Sequence, residues 1–331
     1  MNHKSSFNGA RVLITGGLGF IGSNLARRLV DLGARVVLVD SLIPEYGGNL
    51  FNVRDCEEKL TINISDVRDE YGMNQLIKRQ DFLFNLAGQT SHVDSMVNPF
   101  ADLEINCRSQ LSILEACRKY NPAVKIVFAS TRQVYGRPQY LPVNEKHPLV
   151  PVDVNGINKI AGEMYHILYS NIYGTRACAL RLTNTYGPRM RVKDARQTFL
   201  GIWIRLLIEG KPFQLFGDGL QIRDFNYVDD VVEAFLLAAA GDESNGKVFN
   251  LGGDEHVSLK SLAELMIGCN DGGKYQIVPF PAERKSIDIG DYFSDYSCFS
   301  EIFGWKPKVE LKQGITLTLN FFQKYAQYYW E

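Results

Sequence analysis

Three glycines, Gly16, Gly19 and Gly22, stand three residues apart in the stretch TGGLGFIG, and an acid, Asp40, closes the apolar run that follows. Each part of that pattern suits one part of a dinucleotide. The first glycine permits a tight turn, the second lets the backbone approach a pyrophosphate, and the third lets a helix pack close to a strand. A helix that begins there offers unpaired N–H groups and the positive end of its dipole to phosphate. The Asp40 carboxylate can accept both hydroxyls of an adenosine ribose. A 2′-phosphate there would meet like charge, so the pattern favours NAD over NADP.

Those residues need a strand–turn–helix–strand unit to hold them, and Arg11–Asp40 reads as one. Arg11–Thr15 is a short apolar run ending at Gly16-Gly17. Ile21, Leu25, Leu29 and Leu32 recur at helical spacing before Gly33, and Arg35–Val39 has the β-branched character of a strand buried on both faces. Further strands are expected at Lys59–Ile64, Phe82–Leu86, Lys125–Ala129 and Ala177–Leu182, with a helix over Pro99–Tyr120. This alternation predicts an α/β fold, a Rossmann-type doubly wound parallel sheet. Ligands of such sheets gather at the carboxyl ends of the strands, here Gly16–Gly19, Asp40, Asp66, Ala87–His92, Ser130–Gln133 and Asn184. One cleft would collect them all.

The first 184 residues are expected to form this NAD-binding domain, with about 222–256 returning to it. Residues 185–221 and 257–331 would build a smaller, interleaved substrate domain. Its loop with Arg189, Arg191, Lys193 and Arg196 suits a solvated surface or part of an anion site, and its tail of Phe321, Phe322, Tyr325, Tyr328 and Tyr329 suits a packing face. A net charge of −1 gives no pull toward nucleic acid or anionic membrane. The six cysteines include no CxxC pair, which argues against a zinc or disulfide framework and for reduced thiols in a cytoplasmic protein. No apolar run reaches membrane-spanning length.

With these segments in hand, the chain resembles the extended short-chain dehydrogenase/reductase family, the nucleotide-sugar epimerases and dehydratases. TGGLGFIG resembles the family's cofactor turn, NLAGQTSHVDSMVNP its loop over the nicotinamide, ASTRQVYG its catalytic Ser/Thr strand and NGINKIAGE its catalytic helix. RLTNTYGPR and GDGLQIRDFNYVDDV resemble its substrate-phosphate segments, and EIFGWKP its C-terminal helix end. The resemblance implies NAD held by Gly16, Gly19, Phe20, Ile21, Gly22, Asp40, Asp66, Val67, Leu86, Ala87 and Lys159. It implies Thr131 and Lys159 as catalytic residues. Substrate contacts follow for Asn184, Arg223, Arg284, Phe216 and Gln133, with no metal. Arg132 is suited to an anionic sugar such as a uronate or, equally, to the surface.

The departure is at residue 155. The family carries a Tyr four residues before its Lys, whereas this chain has Asn155 before Lys159. An amide neither takes nor gives up a proton near neutral pH. Loss of a general base typically costs a factor of ~10²–10⁴, against ~10⁶ or more for a whole enzyme, so catalysis survives in principle. His92 is one replacement, an imidazole being suited to proton transfer near neutrality. Alternatively, Asn155 positions a water or substrate carboxylate, with Thr131 and Lys159 as the relay. Residues Arg132-Gln133 follow Thr131 where the family's 4,6-dehydratases carry Asp-Glu, which leaves epimerisation. The resemblance therefore implies NAD-dependent epimerisation of a nucleotide-diphosphate sugar, a UDP-sugar first, through a transient 4-keto sugar. A nucleotide-sugar dehydrogenase or decarboxylase, or a non-catalytic NAD and nucleotide-sugar binder, stands as the alternative. It also implies a homodimer through Leu103–Tyr120 and Asn158–Ser170, using Leu111, Leu114, Ile160, Tyr165 and Leu168.

Overall fold

A computed structural model describes residues 3–330. Strands β1 (Arg11–Thr15), β2 (Arg35–Asp40), β3 (Leu60–Ile64), β4 (Phe82–Asn85), β5 (Lys125–Thr131) and β6 (Arg176–Leu182) join in the main sheet. The chain continues through β7 (Asn184–Tyr186), β8 (Phe213–Phe216), β9 (Ile222–Tyr227), β10 (Val248–Asn250), β11 (His256–Ser258) and β12 (Tyr275–Val278). The main sheet has seven strands in the order β10-β6-β5-β4-β1-β2-β3, every pair parallel. The order reverses beside β1, which opens the crevice at its carboxyl end.

Burial explains why these segments are strands. Val12, Leu13 and Ile14 of β1 and Ile126, Val127 and Phe128 of β5 are fully buried, as a sheet covered by helices on both faces requires. Several boundaries differ from the sequence expectation. The fourth strand stops at Asn85, because the Leu86 and Ala87 N–H groups donate to Thr15 Oγ1 (3.0 and 3.1 Å) instead of continuing the ladder. The fifth runs on to Thr131, paired with Leu182. The single helix expected over Pro99–Tyr120 is three pieces: Pro99–Leu103, a π-helical turn Glu104–Arg108, and Ser109–Tyr120. That turn lies against the helix Val154–Tyr173, where a Cβ on Gly162 would come within 2.8 Å of the Asn106 carbonyl oxygen.

A smaller lobe contains a three-stranded sheet, β11-β9-β7, and a two-stranded one, β12-β8. Its core joins Trp203, Phe213, Met266, Ile315 and Phe322. β9 belongs to this lobe, and the chain returns to the main sheet with helix Val228–Ala240 and β10. The aromatic tail is a packing face: Tyr328 stacks on Phe51 at 3.9 Å, Tyr329 meets it edge-on, and Phe322 is buried. Leu114 and Ile160, named for a dimer face, instead point inward: Leu114 into the core and Ile160 against Val134 and Tyr135. On helix Val154–Tyr173 the exposed aliphatic side chains of the described residues are Ile157, Met164, Leu168 and Ile172, with Tyr173 exposed at its end. Among the described residues, no helix is long and apolar enough to cross a membrane.

Candidate active site

A cavity of about 900 Å³ opens over the carboxyl ends of the main strands and under the small lobe. Gly16 has φ +67°, and a Cβ there would press within 3.0 Å of the Ala87 backbone. On Gly22 a Cβ would lie 2.2 Å from the Gly16 carbonyl oxygen, so helix Phe20–Asp31 reaches the turn only with glycine at that position. Gly19 caps that helix and leaves its first N–H groups facing the cavity wall formed by Gly19, Phe20, Ile21 and Gly22. Asp40 accepts from the N–H groups of Leu18 (3.0 Å) and Leu42 (2.9 Å). Burial pushes its carboxyl above the ordinary value, while those N–H groups oppose the rise. Val67, Leu86 and Ala87 line the same wall. Asp66 also lines it, but its two oxygens are occupied by Arg68 (2.9 and 2.6 Å), which holds its pKa low despite partial burial. A cradle that a Cβ would fill, beneath an acid and a free helix start, fits a dinucleotide.

At the other end the helix Val154–Tyr173 brings Asn155 and Lys159 to the cavity. Lys159 is buried; its ammonium donates to the Ala129 carbonyl (3.1 Å) and lies 4.9 Å from the Phe128 ring centre. Burial pulls its pKa down to about 8, against an opposing pull from Asp102. Thr131 ends β5 and accepts from the Gln133 N–H (3.2 Å).

Asn155 is not free for catalysis through its nitrogen. Nδ2 donates both to the Gln89 carbonyl (2.8 Å) and to Asp102 Oδ2 (2.9 Å). Asn158 Nδ2 donates to Asp102 Oδ1 (2.8 Å). The two amides thus hold a fully buried carboxylate and tie Gln89 and helix Pro99–Leu103 to the helix of Lys159. A buried carboxylate requires N–H donors, and the two amides supply them without ionising.

His92, expected in a loop, is the first residue of a short helix, His92–Val97, capped by Ser91 Oγ on the Asp94 N–H (3.1 Å). Its Nδ1 stands 3.0 Å from Asp153 Oδ2, off the line of a regular hydrogen bond. Asp153 caps the Lys159 helix through the Gly156 N–H (2.7 Å) and also accepts from Gln133 Nε2 (2.9 Å). Burial raises the Asp153 carboxyl, but His92, Gly156 and Gln133 more than offset this and keep it below its ordinary value. A charged carboxylate behind an imidazole is an arrangement for general acid–base work, and such contacts are often imperfectly aligned before substrate binds.

The remaining wall carries the cations. Arg132 Nη2 donates to Asn184 Oδ1 (2.9 Å), and Asn184 Nδ2 donates to the Asp224 carbonyl (2.9 Å). Arg223 donates to the carbonyls of Ile222 and Gly290 and lies 3.6 Å from Asp288. Burial and the Arg132 charge pull its pKa down to about 10. Arg284 sits 5.4 Å from the Phe216 ring centre, and both line the cavity.

The matching family model is described as the NAD dependent epimerase/dehydratase family and spans residues 12–252. A putative UDP-glucose 4-epimerase of Methanocaldococcus jannaschii is 34% identical over 94% of this chain and 97% of its own length. The chain belongs to the NAD-dependent epimerase/dehydratase family. Among solved structures, the UDP-glucose 4-epimerase of Thermotoga maritima with UDP-glucose superposes with a TM-score of 0.85 at 31% identity, covering 96% of this chain and 99% of that one. The Thermus thermophilus UDP-glucose 4-epimerase complex with NAD gives 0.85 at 30% identity, over 95% and 99%. The cofactor of this family member is NAD, in keeping with the glycine cradle and Asp40.

Two groups of residues at the site escaped the sequence reading. Asp102 and Asp153 are not part of the glycine pattern, although Asp153 carries a signal as an acid at a helix start, three residues before Gly156. The other group lies beneath Thr131. Glu163 takes both Arg181 Nε (2.9 Å) and Nη2 (2.5 Å) and accepts from Ser130 Oγ (2.6 Å), while Arg181 Nη1 reaches Tyr135 (2.6 Å). This buried pair fixes the end of β5 against the Lys159 helix.

Proposed function

We propose that this protein epimerises a nucleotide-diphosphate sugar, with His92, backed by Asp153, as the group that exchanges the hydroxyl proton in place of the family's phenol. The observation that carries the reading is the 3.0 Å approach of Nδ1 to the Asp153 carboxylate, which leaves Nε2 as the nitrogen available for the proton. His92 lines the same cavity as Thr131 and Lys159. Bound NAD supplies the hydride acceptor for the sugar carbon. Thr131 hydrogen-bonds the reacting hydroxyl, and Lys159 places positive charge beside the oxygen that gains negative character. Asp153 orients the ring, while Asn155 holds Asp102 and takes no proton. Gln133 orients Asp153 rather than touching the sugar through its amide nitrogen. Arg223 and Arg284 are placed for the diphosphate and Phe216 for the base. Similarity to UDP-glucose 4-epimerases supports a UDP-sugar. The exposed Ile157, Met164, Leu168 and Ile172 support a homodimer through the Lys159 helix.

Proton NMR of the anomeric region, with NAD and a panel of UDP-, dTDP-, GDP- and CDP-sugars, tests this. The expected result is a new anomeric signal without net NADH. Product with stoichiometric NADH would replace epimerisation by oxidation or decarboxylation. Saturation-transfer contacts without product would make the protein a binder, the reading that Asn155 favours.

A further inference from the structure

Arg132 lines the cavity and carries more hydrogen-bond capacity than the protein uses. Only its Nη2–Asn184 bond is made; Nη1 is shielded from solvent and has no hydrogen-bond partner among the described residues. No carboxylate of a described residue lies within ion-pair distance of this guanidinium. Asp224, the acid whose charge it feels most, is turned to Thr183 Oγ1 and the Ser294 N–H (3.1 Å). The guanidinium lies 5.4 Å from the Tyr292 ring centre, which holds its plane without neutralising it. Arg223, by contrast, has Asp288 at 3.6 Å. A guanidinium with a solvent-shielded, unpartnered nitrogen and no acid in ion-pair contact is costly, and its unused donors belong to the planar fork that a carboxylate meets with both oxygens.

Its place in the chain says which anion. Arg132 directly follows Thr131 and is bonded to Asn184, whereas Arg284 and Phe216 line the wall given by the small lobe. The spare fork is therefore beside the hydroxyl-handling residues, where a sugar ring sits. We infer that the sugar carries a carboxylate, so that the substrate is a nucleotide-activated acidic sugar whose acid group is read by Arg132. This rests on the nucleotide-sugar reading above, and UDP alone measures that reading separately.

The test is calorimetric titration of the NAD-loaded protein with UDP, UDP-glucose, UDP-galactose, UDP-glucuronate, UDP-galacturonate and UDP-N-acetylmuramic acid. At least one acidic sugar is expected to bind roughly 10- to 100-fold more tightly than the neutral ones, the range of a charge-assisted two-oxygen contact. In Arg132→Gln that ratio is expected to fall to within about threefold, with Arg132→Met as the check should the glutamine variant misfold; thermal melting establishes that each variant is folded. Equal affinity of the wild type for acidic and neutral sugars overturns the inference. So does a loss in the variant that is as large for UDP itself, since the guanidinium then serves the diphosphate. Failure of the wild type to bind UDP or any of the sugars would instead overturn the nucleotide-sugar reading on which the inference rests.

Discussion

The Asp153 carboxylate, at the head of the helix that carries Lys159, approaches the His92 imidazole to 3.0 Å, and the same carboxylate caps that helix. One acid thus sets both the ring and the helix start. His92→Ala should lower turnover by a factor of ~10²–10⁴ while leaving NAD affinity within about twofold. Asp153→Asn keeps a cap acceptor, so its stability loss should stay near or below ~1 kcal/mol while turnover falls steeply. Steady-state rates beside NAD titrations and melting curves check both. A variant pair that loses stability without losing turnover would exclude the dyad.

Lys159 should carry a measurable stability cost. Its folded pKa of about 8 is below its ordinary value of 10.5, so the folded state disfavours the ammonium. Between those two pH values the unfolded chain binds more protons, and stability attributable to this group rises with pH. Below about 8 the full cost applies, on the order of 3 kcal/mol. Lys159→Met should therefore be inactive yet melt higher than wild type at pH 7, and the gap should narrow as pH is raised through 8 toward 10. A variant that melts lower throughout would refute this.

An acid at position 155 should be poorly tolerated near neutral pH. Asn155→Asp sets a second carboxylate against Asp102, at the place where the amide now donates over 2.9 Å. Like charge raises at least one of the two pKa values above the unfolded ~3.9. The variant should then melt close to wild type near pH 4 and fall progressively behind as pH rises to 7. Parallel melting curves across that range would show that Asp102 does not need its amide clamp.

The exposed side chains of Met164 and Leu168 lie one helical turn apart on the Lys159 helix. If this face joins two copies, Met164→Glu combined with Leu168→Glu should convert a dimer to a monomer in sedimentation velocity at micromolar concentration. A wild-type monomer, or a dimer that ignores both substitutions, would exclude it.

Sequence alone determined the parts of this protein in which local chemistry and local structure coincide. Gly16, Gly22 and Asp40 were legible as a tight turn before a closely packed helix and an acid at a strand end, because a positive φ, a close helix approach and a strand terminus are all local demands. The parallel sheet followed from apolar runs that are buried on both faces. The order of β9, which pairs with β7 and β11 and not with the main sheet, was beyond pattern reading because strand pairing is a long-range choice. So was the inward turn of Leu114, since two faces of one helix compete for burial.

The site divides the same way. Asn155 was visible as a missing phenol, but its Nδ2 bonds to Gln89 and Asp102 depend on a helix some fifty positions earlier in the chain. His92 was named from its segment, whereas its partner Asp153 emerged only when β5 and two helices converged. Charge balance is the clearest case. The sequence left Arg132 equally suited to an anionic sugar or to the surface, and only the folded arrangement places it on the cavity wall with no acid in ion-pair contact among the described residues. Hydrogen bonding and desolvation are set by which atoms meet in space, so these facts belong to the tertiary structure alone.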